Sequence, residues 1–240
     1  MPERARYATA HWICFGEVTT PEQVSLSGRP EGAASWKIGP SGPVGPDGYR
    51  MPSNIWCAVG LFRELGEAKA AMENRHHFMP FLHDAVESWH QLLLPVRHHG
   101  ECNHLDRECP DEMFEVSSAD PGGPVLVITS AGFVRGPELK VERLIDFRRN
   151  VDRVDEWLRQ AEGYIASRPF TPHTVGDDGL TLSVWRDDAA MLNASYRAGV
   201  HRTHVDRHKS EKVFDRSSFT RCRILDACGQ WEGRDPMAWA

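Results

Sequence analysis

The sequence predicts an α+β fold made of two similar units, and three observations carry that reading. First, short apolar runs with strand patterning recur along the chain, and amphipathic helical stretches are interspersed among them. Second, Val59 to Met72 is echoed by Thr181 to Met191. In the first a strand runs into Phe62-Arg63-Glu64 and an alanine-bearing helix; in the second a strand runs into Trp185-Arg186-Asp187 and a similar helix. Each is followed by another helical piece and then a strand, which is repetition at a half-chain offset. Third, Arg97 to Pro124 has little apolar content and is rich in Cys, His, Asp, Glu and Gly, so it reads as a long connection. The organisation expected is residues 1–97, a linker at 98–123, and residues 124–240. Two such units can pack sheet against sheet and enclose a cavity.

The elements follow in order. His11 to Val18 is a first strand, and Ala34 to Ile38 a second. Gly39 to Gly48 is a loop by composition, because Pro and Gly occupy most of it. Asn54 to Phe62 is a strand and Glu67 to Asn74 a helix. Phe78 to Glu87 is expected to be helical, with Pro80 setting its first turn. Trp89 to Val96 returns as a strand. Beyond the linker, Pro124 to Phe133 is a buried strand. Pro137 to Gln160 is a long helix with Leu139, Leu144, Ile145, Phe147, Val151, Val154 and Leu158 on its apolar side. Tyr164 to Phe170 and Leu180 to Trp185 are strands, and Phe219 to Leu225 is the last.

The stretch from Leu180 to His208 concentrates the functional signal. Leu180, Leu182 and Val184 alternate with Thr181, Ser183 and Trp185, a period of two. Asp187 and Asp188 supply a cap for a helix starting at Ala189. Met191, Leu192 and Tyr196 continue at helical spacing until Gly199 interrupts. A second helical segment begins near His201, and His201, His204 and His208 fall along one stripe at i, i+3 and i+7. A strand that delivers a helix bearing an imidazole is one way to fix an axial ligand to a metal cofactor.

Composition removes several function classes. The net charge of -6 and the lack of a long basic run argue against nucleic acid as a partner. No stretch approaches the roughly 20 apolar residues of a membrane span, and no signal peptide is read at the N-terminus, so a cytoplasmic location is expected. Six irregularly spaced cysteines look like reduced thiols. Neither GxGxxG nor GK[ST] occurs, and GxSxG, HExxH and an EF-hand loop are also missing. The eight tryptophans can fill a core or line a flat aromatic pocket, and the core use is the commoner one.

Three blocks then resemble a known family. One is Ala34, Ser35, Trp36, Lys37, Ile38, Gly39, Pro40, Ser41 and Gly42. Another runs from Glu87, Ser88 and Trp89 to Pro95. The third comprises Leu182, Ser183, Val184, Trp185 and Arg186, then Ala190, Met191, Tyr196 and His201, followed by Glu211, Phe214, Phe219, Arg221, Gly229, Trp231 and Gly233. Together they are similar to the spheroidene monooxygenase-like proteins, which belong with the dimeric α+β barrels. The resemblance implies two ferredoxin-like halves forming a dimeric-barrel arrangement within one chain. It also implies haem, used for oxygen chemistry on a carotenoid. Related barrels hold haem through a histidine on a helix of the C-terminal half, and His201 matches that placement. The segment after the first strand and the linker HHGECNHLDRECPDE both depart from the family pattern. The substrate is therefore read as a small or medium apolar organic molecule, with molecular oxygen and an electron donor as co-reactants. A homodimer is left open.

On this reading His201 is the iron ligand. Its second ring nitrogen needs an acceptor that sets ligand basicity. The mostly charged segment RTHVDRHKSEK would equally suit a solvent-facing helix. His204 is the first alternative ligand. Lys37 would pair a haem propionate or donate a proton, and Trp36 would stand beside it at the cavity mouth. Trp89 and Arg202 are further cofactor-binding candidates, and Tyr196 is a candidate proton donor. Tyr49 and Arg50 are weaker ones. A runner-up metal site is the cluster of His98, His99, Cys102, His104 and Cys109, which holds enough nitrogen and sulfur donors for zinc but matches no standard finger spacing. Two other functions stay open: a haem-dependent dehydratase resembling the aldoxime dehydratases, and a haem-free barrel monooxygenase or binding protein.

Overall fold

The computed structural model describes residues 4–24, 28–101, 114–133, 140–172, 178–197 and 216–239. Its first half runs β1 (Tyr7–Thr19), α1 (Pro21–Val24), β2 (Ala33–Pro40), β3 (Ser53–Phe62), α2 (Leu65–Glu73), α3 (Arg75–Phe78) and β4 (Ala85–Gly100). The second runs β5 (Val125–Gly132), α4 (Val141–Leu158), β6 (Tyr164–Phe170), β7 (Gly179–Trp185), α5 (Asp188–Leu192) and β8 (Arg216–Gly229). The strands form one antiparallel sheet in the order β2-β3-β1-β4-β8-β5-β7-β6. Divided between β4 and β8, the two sides have the same internal order: fourth, first, third, second strand of each set. The echo between Val59–Met72 and Thr181–Met191 thus falls at equivalent places, the third strand of each set and the helix after it.

The sheet curls until its edges meet at one point. There Thr171 N–H donates to the Pro40 carbonyl at 3.3 Å, and Ser41 Oγ donates to the Pro169 carbonyl at 2.7 Å. Strand alternation sorts side chains onto two faces. Ala8, Ala10 and Trp12 of β1, Cys57, Val59 and Leu61 of β3, and Trp89 and Leu93 of β4 point into the curl. Leu126 and Ile128 of β5, Leu180, Leu182 and Val184 of β7, and Cys222 of β8 meet them there. Ile13, Trp56, Phe62 and Leu92 face outward and are covered by Ala68, Met72, Phe78 and Phe81 from the helical layer of the first half. Val125, Val127 and Trp185 are covered by Leu158, Ala190, Met191 and Ala194 from α4 and α5. Because β1 is buried on both faces, its sequence mixes apolar and polar residues without clean alternation.

The central strands extend further than their sequence pattern suggested. β4 continues through His98 and His99 to Gly100, which pair with Thr220, Phe219 and Ser218 of β8. These two histidines belong to a strand rather than to the connection. The stretch from Phe78 to Glu87 is also not one helical piece. α3 ends at Phe78, a 3-10 turn spans Pro80–Asp84, and Ala85 already begins β4. The long helix is α4. Its buried stripe includes Leu144 and Leu158 as expected, and also Arg148 and Asp155. Asp155 accepts from Ser167 Oγ on β6 and binds Arg159 at 2.9 Å. Arg148 donates to the Gly48 carbonyl and lies 4.6 Å from the Tyr49 ring centroid.

These last contacts stitch the Pro/Gly loop of the first half onto the helix of the second. Gly48 has φ +82°, and a Cβ there would stand 2.8 Å from the Leu144 side chain. That position demands glycine both for its backbone and for the close approach. Arg50 completes the junction by donating to the Gly42 carbonyl at 2.8 Å and pairing with Asp152. No helix among the described residues is long and apolar enough to cross a membrane.

Candidate functional site

The inner face carries an aromatic cluster at one end of the curl. Trp12 lies with its ring centroid 5.5 Å from those of both Trp89 and Trp231. Trp12 Nε1 donates to Gln91 Oε1 at 3.0 Å. Gln91 is fully buried, and its Nε2 has no partner among the described residues; the same holds for Trp89 Nε1 and Trp231 Nε1. The Arg168 guanidinium sits 5.4 Å from the Trp231 ring centroid and pairs with Glu232 at 2.8 Å. Cys57 opens onto the same face, where burial pushes its thiol up to about 12. Nucleophilic use of that thiol at neutral pH is thereby disfavoured.

A second group sits on the outward face of the first half, between the sheet and α2–α3. His11 and His90 are cross-strand partners on β1 and β4. Their Nδ1 atoms are 2.9 Å apart, His11 Nε2 is 2.9 Å from Thr9 Oγ1, and His90 Nε2 is 3.0 Å from Ser88 Oγ. Both imidazoles are fully buried. Burial, reinforced by Arg75, pushes His90 down to about 3, and burial with His90 as neighbour holds His11 well below the usual imidazole range. Nothing in the sequence singled out this pair. Its signal was one histidine in each of two predicted strands, whose pairing only the structure reveals.

The outward face of the second half is covered unevenly. Val127 lies under α5, but one step along, Thr129 on the central strand β5 is exposed. Its register neighbours are Thr181 on β7 and Phe219 on β8, both half-buried. Two residues from Phe219, Arg221 gives Nη1 to Asp188 at 2.6 Å while its Nε has no partner among the described residues. Asp188 is also bound by Arg223, which further pairs with Asp120. Asp187 caps α5 by accepting from Ala190 N–H at 2.7 Å, as its sequence position predicted. Asp188 instead is a clamp holding α5 to β8. After α5 the chain makes a π turn at Asn193–Arg197, a form frequent at functional sites, and Tyr196 falls in it.

The residues singled out by sequence do not all share this geometry. His201, Arg202, His204 and His208 lie outside the described residues. Lys37 is opposite Val59 and so belongs to the inner face with Trp89, whereas Trp36 is opposite Gly60 and faces outward. There Trp36 lies 5.5 Å from His11 and 5.4 Å from Phe78, edge to face. Neighbours in a strand point to opposite faces, so Trp36 and Lys37 cannot line one cavity mouth together. Tyr49 and Arg50 are occupied at the junction with α4. His98 has one ring nitrogen 2.8 Å from Thr220 Oγ1 and the other 3.1 Å from the Gly100 carbonyl oxygen. Cys102, His104 and Cys109 lie outside the described residues, and no group of three or more metal-binding side chains occurs among the described ones.

With that geometry in hand, comparison with known proteins adds a relative. No family model matches the chain. Spheroidene monooxygenase of Rhodobacter capsulatus is 22% identical over 185 residues, spanning 77% of this chain and 72% of that protein. The chain is a homologue of spheroidene monooxygenase. The resemblance read from Trp36-Lys37, Glu87-Ser88-Trp89 and the third block is therefore upheld. Among solved structures, an aldoxime dehydratase superposes with a TM-score of 0.57 at 10% identity, covering 94% of this chain and 83% of that one. Another, solved with butyraldoxime, gives 0.56 at 10% identity, covering 94% and 81%. These likenesses establish a shared fold, and the homology to spheroidene monooxygenase supports an oxygenase function.

Proposed function

We propose that this protein is a haem-dependent monooxygenase that acts on a small or medium apolar molecule, with His201 as the axial ligand. Its architecture on this reading is two ferredoxin-like halves, residues 1–97 and 124–240, joined by 98–123. The matching strand order on the two sides of the β4–β8 pair supports that division. The observation that carries the functional reading is the half-covered row Thr181, Thr129 and Phe219, next to the turn from which the His201 segment departs.

The residues present fit a porphyrin on that face better than inside the curl. The inner face is occupied by Trp12, whose ring meets those of Trp89 and Trp231. The outward row offers a flat patch on central strands, with one aromatic side chain and two threonine methyls for a planar ring. Arg221, with its buried Nε–H open, stands two residues along the same face as a cation for a carboxylate. Haem bound there would supply the oxygen chemistry that side chains lack. The chain would hold the ring against Phe219 and the threonines, fix its orientation through Arg221 and Arg202, and exclude water with α5. Tyr196, in the π turn, would hold a proton near the reacting substrate. Lys37 and Trp89, on the inner face, would lie on the other side of the sheet from that ring and take no part in holding it.

The test is an absorption spectrum of protein expressed with haem precursor, wild type against His201→Ala. The expected result is a Soret band that weakens or shifts in the variant, together with oxygen uptake dependent on an apolar substrate. Wild-type protein that stays colourless after reconstitution would overturn the haem reading. A haem-loaded protein that turns over substrate without consuming oxygen would replace oxygenation with a dehydration or rearrangement.

A further inference from the structure

We infer that residues 230–235 form a hinged plug, a flap that seals one end of the curl with Trp231 and opens while the sheet stays folded. From Cys228 to Asp235 every residue is exposed except Trp231, which is buried. Its ring centroid lies 5.5 Å from that of Trp12 and 5.4 Å from the Arg168 guanidinium. Trp12 shares one register layer with Cys57 on β3 and Trp89 on β4, and Trp89 is opposite Gly229, where β8 ends. Trp231 therefore closes over the layer that holds Cys57. The interior behind it is close-packed only while that indole is in place.

Three ties hold the flap, all at the rim. Gln230 N–H donates to the Ser88 carbonyl at 2.8 Å, Gly233 N–H donates to Glu87 Oε1 at 2.7 Å, and Glu232 pairs with Arg168 at 2.8 Å. Gln230, Glu232 and Gly233 are exposed, so water can replace each tie and each holds weakly. Two features work against the closed form. Trp231 Nε1–H is buried with no partner among the described residues, and opening would hydrate it. Glu232 sits at φ +55°, in the left-handed region that a glutamate seldom adopts. Gly229, at φ +100°, supplies a pivot on one side of the flap. On the other side Pro236 is buried again and Met237 packs on the core, so the flap moves between two fixed ends. A segment with one buried side chain, surface ties and a strained residue belongs to the least stable part of a fold. The inference does not rest on the haem reading, since the face that Trp231 covers is the inner one.

The test compares two buried thiols of the inner face, Cys57 behind the flap and Cys222 on β8. Full-length protein is treated with iodoacetamide at pH 8 for many hours, in urea concentrations below the unfolding transition, and each thiol is followed by peptide mapping. A thiol reached through local opening reacts at a rate that urea barely changes, whereas one reached by global unfolding reacts faster as urea is added. Cys57 is expected to follow the first pattern and to react about tenfold faster than Cys222, which should follow the second. Glu232→Gln, which weakens one tie, should speed Cys57 about threefold relative to Cys222. Trp231→Ala should speed it further. Equal rates and equal urea slopes for the two thiols in the wild type overturn the inference, because opening would then require the whole sheet to unfold. Cys57 left as protected in a folded Trp231→Ala as in the wild type overturns it too. The first comparison needs no variant, so the inference stays testable if Trp231→Ala fails to fold.

Discussion

Acidification should weaken this protein through the pair His11–His90, and the size of the effect follows from their burial. In the folded chain both imidazoles are neutral at pH 7, with His90 pushed down to about 3 and His11 held well below its ordinary value. In the unfolded chain each takes a proton near pH 6.5. The folded pKa is the lower one, so the contribution is present in full above pH 6.5. It is lost as pH falls below that value, because the unfolded state then binds more protons. Each histidine contributes about 1.4 kcal/mol per pH unit. Between pH 7.5 and pH 5 the loss is therefore about 2 kcal/mol for one histidine and about 4 kcal/mol for both. Urea unfolding across that range, wild type against the double variant His11→Gln/His90→Gln, isolates the term from the other histidines. The wild type should lose about 4 kcal/mol more than the variant over those pH units. A difference of about 2 kcal/mol would mark a single proton shared between the two Nδ1 atoms. Identical pH profiles would refute the reasoning.

Two further outcomes test smaller features. Asp188→Asn removes the carboxylate that holds both Arg221 and Arg223, and should cost about 2 kcal/mol in urea unfolding, against about 1 kcal/mol for loss of the α5 cap in Asp187→Ala. A cost near zero for Asp188→Asn would show that the clamp adds nothing. In native protein at pH 8, thiol labelling followed by peptide mapping should find the exposed Cys228 modified within minutes and Cys57 untouched, since burial pushes its thiol up to about 12. Rapid modification of Cys57 would mean that the interior opens readily.

Most elements of the fold could be read in the sequence, because their patterns report burial directly. β3, β5, β6 and β7 begin and end within one or two residues of their apolar runs. The Pro/Gly loop and the Asp187 cap declare themselves through backbone chemistry. What could not be read is pairing. His98 looked like part of a polar connection because its strand neighbour, Thr220, lies more than a hundred residues away. His11 and His90 were ordinary polar positions until β1 and β4 were set side by side. Arg148 and Asp155 occupy the buried stripe of α4, yet a hydrophobic pattern passes over charged residues whose partners come from elsewhere in the chain. Adjacent residues were also grouped too readily. Trp36 and Lys37 form one motif in the sequence, but a strand turns them to opposite sides.

The long ladder between β4 and β8, from Trp89–Gly229 to Gly100–Ser218, has a consequence for any attempt to cut the protein in two. Each fragment would keep its own four strands and its own helical cover. Each would also expose a strand of 14 or 16 residues along one border, with its backbone donors and acceptors unsatisfied. Such borders attract other strands indiscriminately. Co-expressed fragments should therefore find each other and rebuild the whole, whereas either one made alone should precipitate.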